Sequence, residues 1–105
     1  MNYDKSKIMK EAWRMIRANG MTKSEALRAA WLNAKAKRLM MRGVATFYYL
    51  KMDGTVREAR GTLAAGLVPP VGGARRDNDT LQVYYDLDRG AWRCYKKANI
   101  FDVAA

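Results

Sequence analysis

Apolar residues along the first forty positions recur at spacings of three and four, and in the second half they alternate, so the period changes near Gly43. Residues 4–19 carry Ile8, Met9, Ala12, Trp13 and Ile16 in helical register, with Asp4 or Ser6 to cap the start and Asn19-Gly20 to stop it. A second helix follows at once. Thr22-Lys23-Ser24-Glu25 fits a capping box, the Thr22 hydroxyl accepting from the Glu25 amide and the Glu25 carboxylate reaching back. Leu27, Ala30, Ala34 and Met41 then share a face, Trp31 lies at its edge, and Gly43 ends the run. The spacing predicts a helical hairpin over residues 4–43. A helix-turn-helix DNA reader would need a third helix packed around the turn, and a β-hairpin signal follows instead.

From Val44 to Leu63 two β-rich runs flank Asp53-Gly54, a strong hairpin signal. A two-residue loop sets Met52 opposite Thr55, Leu50 opposite Arg57, Tyr48 opposite Ala59 and Val44 opposite Leu63. Val44, Tyr48, Leu50, Ala59 and Leu63 then form the apolar face, leaving Phe47, Tyr49, Lys51, Val56, Glu58 and Arg60 on the wetter one. A lone hairpin is marginal in water, so the helices are expected to cover it, with Trp13 and Trp31 as cover. Residues 64–79 are rich in Gly, Pro and Ala and read as a flexible loop, with Arg75-Arg76 close to Asp77 and Asp79. Leu81, Val83, Tyr85 and Leu87 alternate inward. Asp88-Arg89-Gly90 turns the chain, Ala91–Lys96 returns, and Asn99–Val103 ends in a short strand. Trp92 is expected to be buried and Cys94 to be a small core hydrophobe. The order is that of a small SH3-like barrel, whose closure removes exposed strand edges. The expected fold is α+β: an N-terminal helical hairpin (4–43) followed by an SH3-like (Sm-like) antiparallel barrel of about five strands (44–105).

At 105 residues, half of them hydrophobic, the chain suits one domain spanning 1–105. It has no His and a single Cys, which excludes Cys/His zinc sites, an internal disulfide and Ser-His-Asp or Cys-His catalysis. The acids are scattered, and Gly72-Gly73 precedes a strand rather than a helix, so no enzyme activity, metal or cofactor is expected. No apolar run spans a bilayer and the start lacks a signal-peptide core, which points to a cytoplasmic protein with no membrane partner. Charge changes the picture most. The net charge is +10; residues 1–43 hold eleven Lys/Arg against three acids, and residues 44–105 nine against seven. That imbalance is the footprint of a polyanion binder. On the second helix Arg28, Lys35 and Arg42 recur every seven residues with Arg38 beside them, either a ridge for phosphates or a solvated face whose stems cover apolar neighbours.

Phe47-Tyr48-Tyr49 with Lys51-Met52-Asp53-Gly54 and Arg57, then Gly90-Ala91-Trp92-Arg93-Cys94-Tyr95-Lys96 and Asn99-Ile100, resemble the small WYL-like family. Ile8–Trp13 and Ser24–Trp31 resemble its helical lead-in. These proteins are frequent in Bacteroidetes, their phages and mobile elements. The resemblance implies an Sm-like, SH3-type barrel and a regulatory or nucleic-acid-linked role, since larger WYL domains sense ligands or nucleic acid in regulators and defence systems. Tyr48-Tyr49-Leu50 stands where those domains have Trp-Tyr-Leu, and Trp92, Arg93 and Tyr95 match their late aromatic and arginine segment.

Such barrels bind through exposed aromatics and cations near their loops, because flat rings accept bases and cations neutralise phosphate. Tyr49, Lys51, Arg57, Arg60, Tyr84, Arg93, Tyr95, Lys96 and Lys97 are the candidates there, joined by Arg28, Lys35, Arg38 and Arg42 on the helix. The expected partner is DNA or RNA. A protein partner held by the helical hairpin, in a phage, mobile-element or defence setting, is the alternative. Small-ligand sensing would need a closed pocket containing Arg93 or Tyr95.

Overall fold

In the computed structural model, which describes residues 3–69 and 78–104, the period change at Gly43 separates two helices from five strands. Helix α1 (Lys5–Asn19) starts where the Asp4 carboxylate accepts from the Lys7 amide at 3.2 Å, and stops at Gly20, whose φ of 67° is a left-handed cap. Helix α2 (Lys23–Arg42) opens on the expected capping box, with Glu25 N donating to Thr22 Oγ1 at 3.2 Å and Thr22 N to Glu25 Oε1 at 2.9 Å. Hydrogen bonds from the Thr22 amide and, second, its hydroxyl hold the Glu25 carboxyl below its usual range. The buried stripes differ from the expected ones. Helix α1 buries Ile8, Ala12 and Met15 and exposes Met9 and Trp13; α2 buries four alanines with Asn33 and Met40 and exposes Trp31 and Met41. Alanines admit a close approach of two backbones, which a tryptophan at the same place would block.

Strands β1 (Val44–Leu50), β2 (Val56–Thr62), β3 (Leu81–Asp86), β4 (Ala91–Lys96) and β5 (Ile100–Val103) form one antiparallel sheet in the order β4-β3-β2-β1-β5. The fifth strand returns beside the first, as expected, but the sheet is not closed into a barrel: among the described residues no ladder joins β4 to β5. A 3-10 turn (Lys97–Asn99) takes up the chain between them, and β2 pairs with β3 only at Gly61↔Asp86 and Thr62↔Tyr85, so the two hairpins diverge from there.

The expected faces of β1 and β3 are exchanged. The loop at Asp53 has three residues instead of two: Lys51 N donates to Thr55 O at 2.8 Å and Gly54 N to Lys51 O at 3.0 Å. The Asp53 carboxylate accepts from both the amide and the hydroxyl of Thr55, at 3.0 and 2.6 Å, and Gly54 takes φ +86°. Leu50 therefore meets Val56, Tyr48 meets Glu58 and Phe47 meets Ala59, a one-residue slip that turns every side chain over. Ala45, Phe47, Tyr49 and Ala59 are buried, whereas Val44 and Leu50 are exposed. On β3 the inward set is Gln82, Tyr84 and Asp86; Val83 is buried as well, and Tyr85 is half-buried against a half-buried Trp92 at 5.5 Å. Cys94 is exposed rather than in the core.

Helix α2 lies on β1, β2, β5 and the 3-10 turn, and α1 packs on α2. Beneath them the Phe47 ring sits 5.1 Å edge-on from Tyr84 and 5.4 Å from Tyr95, and Tyr95 stacks on Tyr49 at 4.9 Å. Gly61 makes this packing possible, since a Cβ there would lie 2.6 Å from the Tyr84 ring. Next to it the fully buried Thr62 hydroxyl donates to the Gly43 carbonyl at 2.5 Å, and Leu63 N to Met40 O at 3.0 Å. Strand β2 is thereby bolted to the carbonyls that α2 leaves unpaired at its end.

Candidate nucleic-acid interface

Away from Gly61 the hairpins separate, and the tip of β1–β2 faces the free edge of β4 across a cleft of about 270 Å3. Lys51 and Arg57 reach it from the first hairpin, and Arg93 and Lys96 from β4. Asn99 borders it from the 3-10 turn, where its Nδ2 donates to the Leu50 carbonyl at 3.2 Å and fixes the turn against β1. Among the described residues no acid lines the cleft. Two of its cations have carboxylates behind them. Lys51 Nζ is 3.9 Å from Asp53 Oδ2, and Arg93 Nε is 3.4 Å from Asp86 Oδ2, a separation at which the angle allows no hydrogen bond. Asp86 is buried and spends its other oxygen on the Asp88 and Arg89 amides, at 3.0 and 3.2 Å, so it orients Arg93 from below. Among the described residues Arg57 and Lys96 have no carboxylate within 4.0 Å.

Tyr49 and Tyr95 form the floor rather than a stacking platform, and Tyr84 lies behind them. Tyr49, Tyr84 and Tyr95 are buried, which corrects their expected role as exposed rings for bases. The Tyr49 and Tyr84 hydroxyls share a hydrogen bond of 2.8 Å, and the Tyr95 hydroxyl donates to Asn33 Oδ1 at 2.7 Å. Burial, first of all, raises the Tyr84 and Tyr95 hydroxyls far above their ordinary value, so both stay neutral. A cleft of cations over neutral phenols attracts anions. No three metal-ligating side chains come together among the described residues.

Four of the expected cations thus converge at the seam, Lys51, Arg57, Arg93 and Lys96, with Tyr95 beneath them. The others do not join them. Arg28 Nη2 donates to the Phe101 carbonyl at 3.2 Å, and Lys35 and Arg42 follow it along the outward side of α2. Arg38 lies over the Tyr3 ring at 4.8 Å. Lys97 turns to Glu11, 3.0 Å away, and ties α1 to the sheet. Arg60 faces Asp88 at 3.6 Å on the opposite face of the sheet. Arg75 and Arg76 lie outside the described residues. Sequence reasoning missed Asn99, which acts on Leu50 far away in the chain, and the buried Asp86, which acts on the turn and return strand of its own hairpin.

Among the described residues no helix is long and apolar enough to cross a membrane. No curated protein and no solved structure matches the chain at a significant level. A family model described as WYL_2, Sm-like SH3 beta-barrel fold, matches residues 33–101, from the middle of α2 into β5.

Proposed function

This chain belongs to the WYL_2 family, and from that premise we propose that it is a small, non-catalytic, nucleic-acid-binding regulatory protein that holds the phosphates of a DNA or RNA strand in the open seam between β4 and the β1–β2 tip. One observation carries the reading: four cations from two hairpins converge on a cleft that, among the described residues, has no acid in its lining. Phosphate is the group such a lining favours, because neutralising it releases condensed counterions. The cleft presents no exposed ring, so bases are left unstacked and discrimination among sequences is weak. At about 270 Å3 the cleft is far smaller than a duplex, so a single strand is the expected occupant.

Fluorescence anisotropy with labelled single- and double-stranded DNA and RNA at two salt concentrations tests it. Micromolar binding at low salt is expected, falling steeply with salt, tighter for single strands, and weakened in an Arg57→Gln/Lys96→Gln double variant. No binding at low salt, or binding that the double variant leaves intact, ends the proposal.

The second reading, a protein-interaction adaptor, has its own support in α1. Met9 and Trp13 stand one turn apart on its outward face, 44% and 46% exposed, with Lys23 Nζ 5.8 Å from the Trp13 ring. Nuclease-insensitive co-purification of a partner, lost in Trp13→Ser, would favour it over the seam.

A further inference from the structure

We propose that the cavity between the two helices and the sheet is a second binding site, for a small organic dianion. It holds about 330 Å3, the lower end of the range of small-molecule sites, and lies on the other side of Tyr95 from the seam. Lys7, Lys37, Arg38 and Lys97 line it against Asp4 and Glu11. Both acids are already engaged: Asp4 caps α1 through the Lys7 amide, and Glu11 holds Lys97 at 3.0 Å and also Arg14. Lys7 and Arg38 alone outnumber Asp4, so the cavity keeps a positive excess once Glu11 is matched with Lys97.

Its floor is built of polar side chains, unlike a packing defect, which is apolar and dry. Asn33 and Gln82 are 8% and 3% exposed. The Asn33 amide is fixed twice, accepting from the Tyr95 hydroxyl at 2.7 Å and donating to the Lys97 carbonyl at 2.8 Å. That leaves one amide hydrogen in a set direction, the preorganisation a ligand site needs. Ile8, Ala30 and Ala34 supply an apolar wall. A bare ion would leave that wall unfilled, so the occupant carries its charge on a carbon frame. A phosphate monoester and a dicarboxylate share this chemistry.

The site stands independently of the seam. Full-length protein is titrated by calorimetry and thermal unfolding with phenyl phosphate, glutarate, inorganic phosphate and the neutral benzyl alcohol, at matched ionic strength. Saturable binding of phenyl phosphate or glutarate is expected, with inorganic phosphate weaker and benzyl alcohol silent; whichever dianion binds identifies the headgroup. Lys7→Gln/Arg38→Gln is expected to weaken binding roughly tenfold or more, as loss of charge-assisted hydrogen bonds does. Ala34→Leu, which fills the cavity and keeps every charge, is expected to abolish binding without lowering the unfolding temperature. The seam variant Lys96→Gln leaves binding unchanged. If neither dianion binds at millimolar concentration, or if binding survives both cavity variants, the proposal is overturned; loss in Lys96→Gln alone would move the anion to the seam and overturn it equally.

Discussion

The two ends of the sheet are built on opposite terms. At the end marked by Gly61 and Thr62, β2 touches β3, the Tyr84 ring presses on the bare glycine, and the Thr62 hydroxyl and the Leu63 amide clamp the last carbonyls of α2. Every polar group named there has a partner. At the other end the hairpins stand apart, and among the described residues β4 has a free edge and four cations share a cleft with no acid in its lining. Bringing like charges together costs stability, and the carboxylates behind Lys51 and Arg93 offset only part of it. The difference teaches where this chain spends its packing and where it forgoes packing to keep a surface open. A binding surface is expected at the second end and not at the first.

The largest blow to the comparison would come from its shared centre. Phe47→Ala removes a fully buried ring that contacts Tyr84 and Tyr95, and is expected to cost about 3–5 kcal/mol in urea unfolding. A cost below about 1 kcal/mol would mean that the two ends are not held by one core. Gly61→Ala probes the packed end alone. Its Cβ meets the Tyr84 ring at 2.6 Å, so a loss of about 1–3 kcal/mol is expected, read by the same measurement.

Alkaline titration sharpens the comparison through the floor that both ends use. Tyr84 and Tyr95 are raised above the ordinary 10.0, chiefly by burial. A raised phenol contributes stability that is fully present below pH 10 and is lost as pH climbs from the unfolded value toward the folded one. Tyrosinate absorbance should then show the exposed phenols titrating first, with Tyr84 and Tyr95 following only as circular dichroism reports unfolding. Replacing each with Phe should flatten the alkaline loss. The smallest effect belongs to the open end. Arg57→Gln/Lys96→Gln should change stability by no more than about 0.5 kcal/mol in either direction, while the salt slope of nucleic-acid binding falls by about 1–2.

The helices were legible because their signals are local. Asp4, the Thr22–Glu25 box, Gly20 and Gly43 act within one turn of themselves, and each does what its spacing predicts. Strand number and order were legible as well, from alternation and turn residues. The faces were not. Both sides of β1 carry apolar residues, so alternation alone could not choose between Tyr48 with Leu50 and Phe47 with Tyr49. The choice fell to a carboxylate, Asp53, which closes a three-residue loop on Thr55. On β3 the inward places went to Gln82, Tyr84 and Asp86, whose polar atoms are met by the Val83 carbonyl, the Tyr49 hydroxyl and the amides of the adjoining turn. The four cations that line the cleft are among those the sequence singles out, but their convergence depends on where β2 leaves β3, a long-range event with no trace in the local sequence.

The tip at Met52-Asp53-Gly54 has a consequence for how the gene can drift. Counting residues between Leu50 and Val56 sets the parity of everything on β2 relative to β1, so an odd insertion or deletion there acts as a global edit, sending Ala59 and Gly61 to water and Arg60 into the tyrosines. Substitutions at Met52, 83% exposed, should be nearly free, whereas its removal should be as damaging as loss of the core. Length, more than identity, is what this corner of the molecule must inherit.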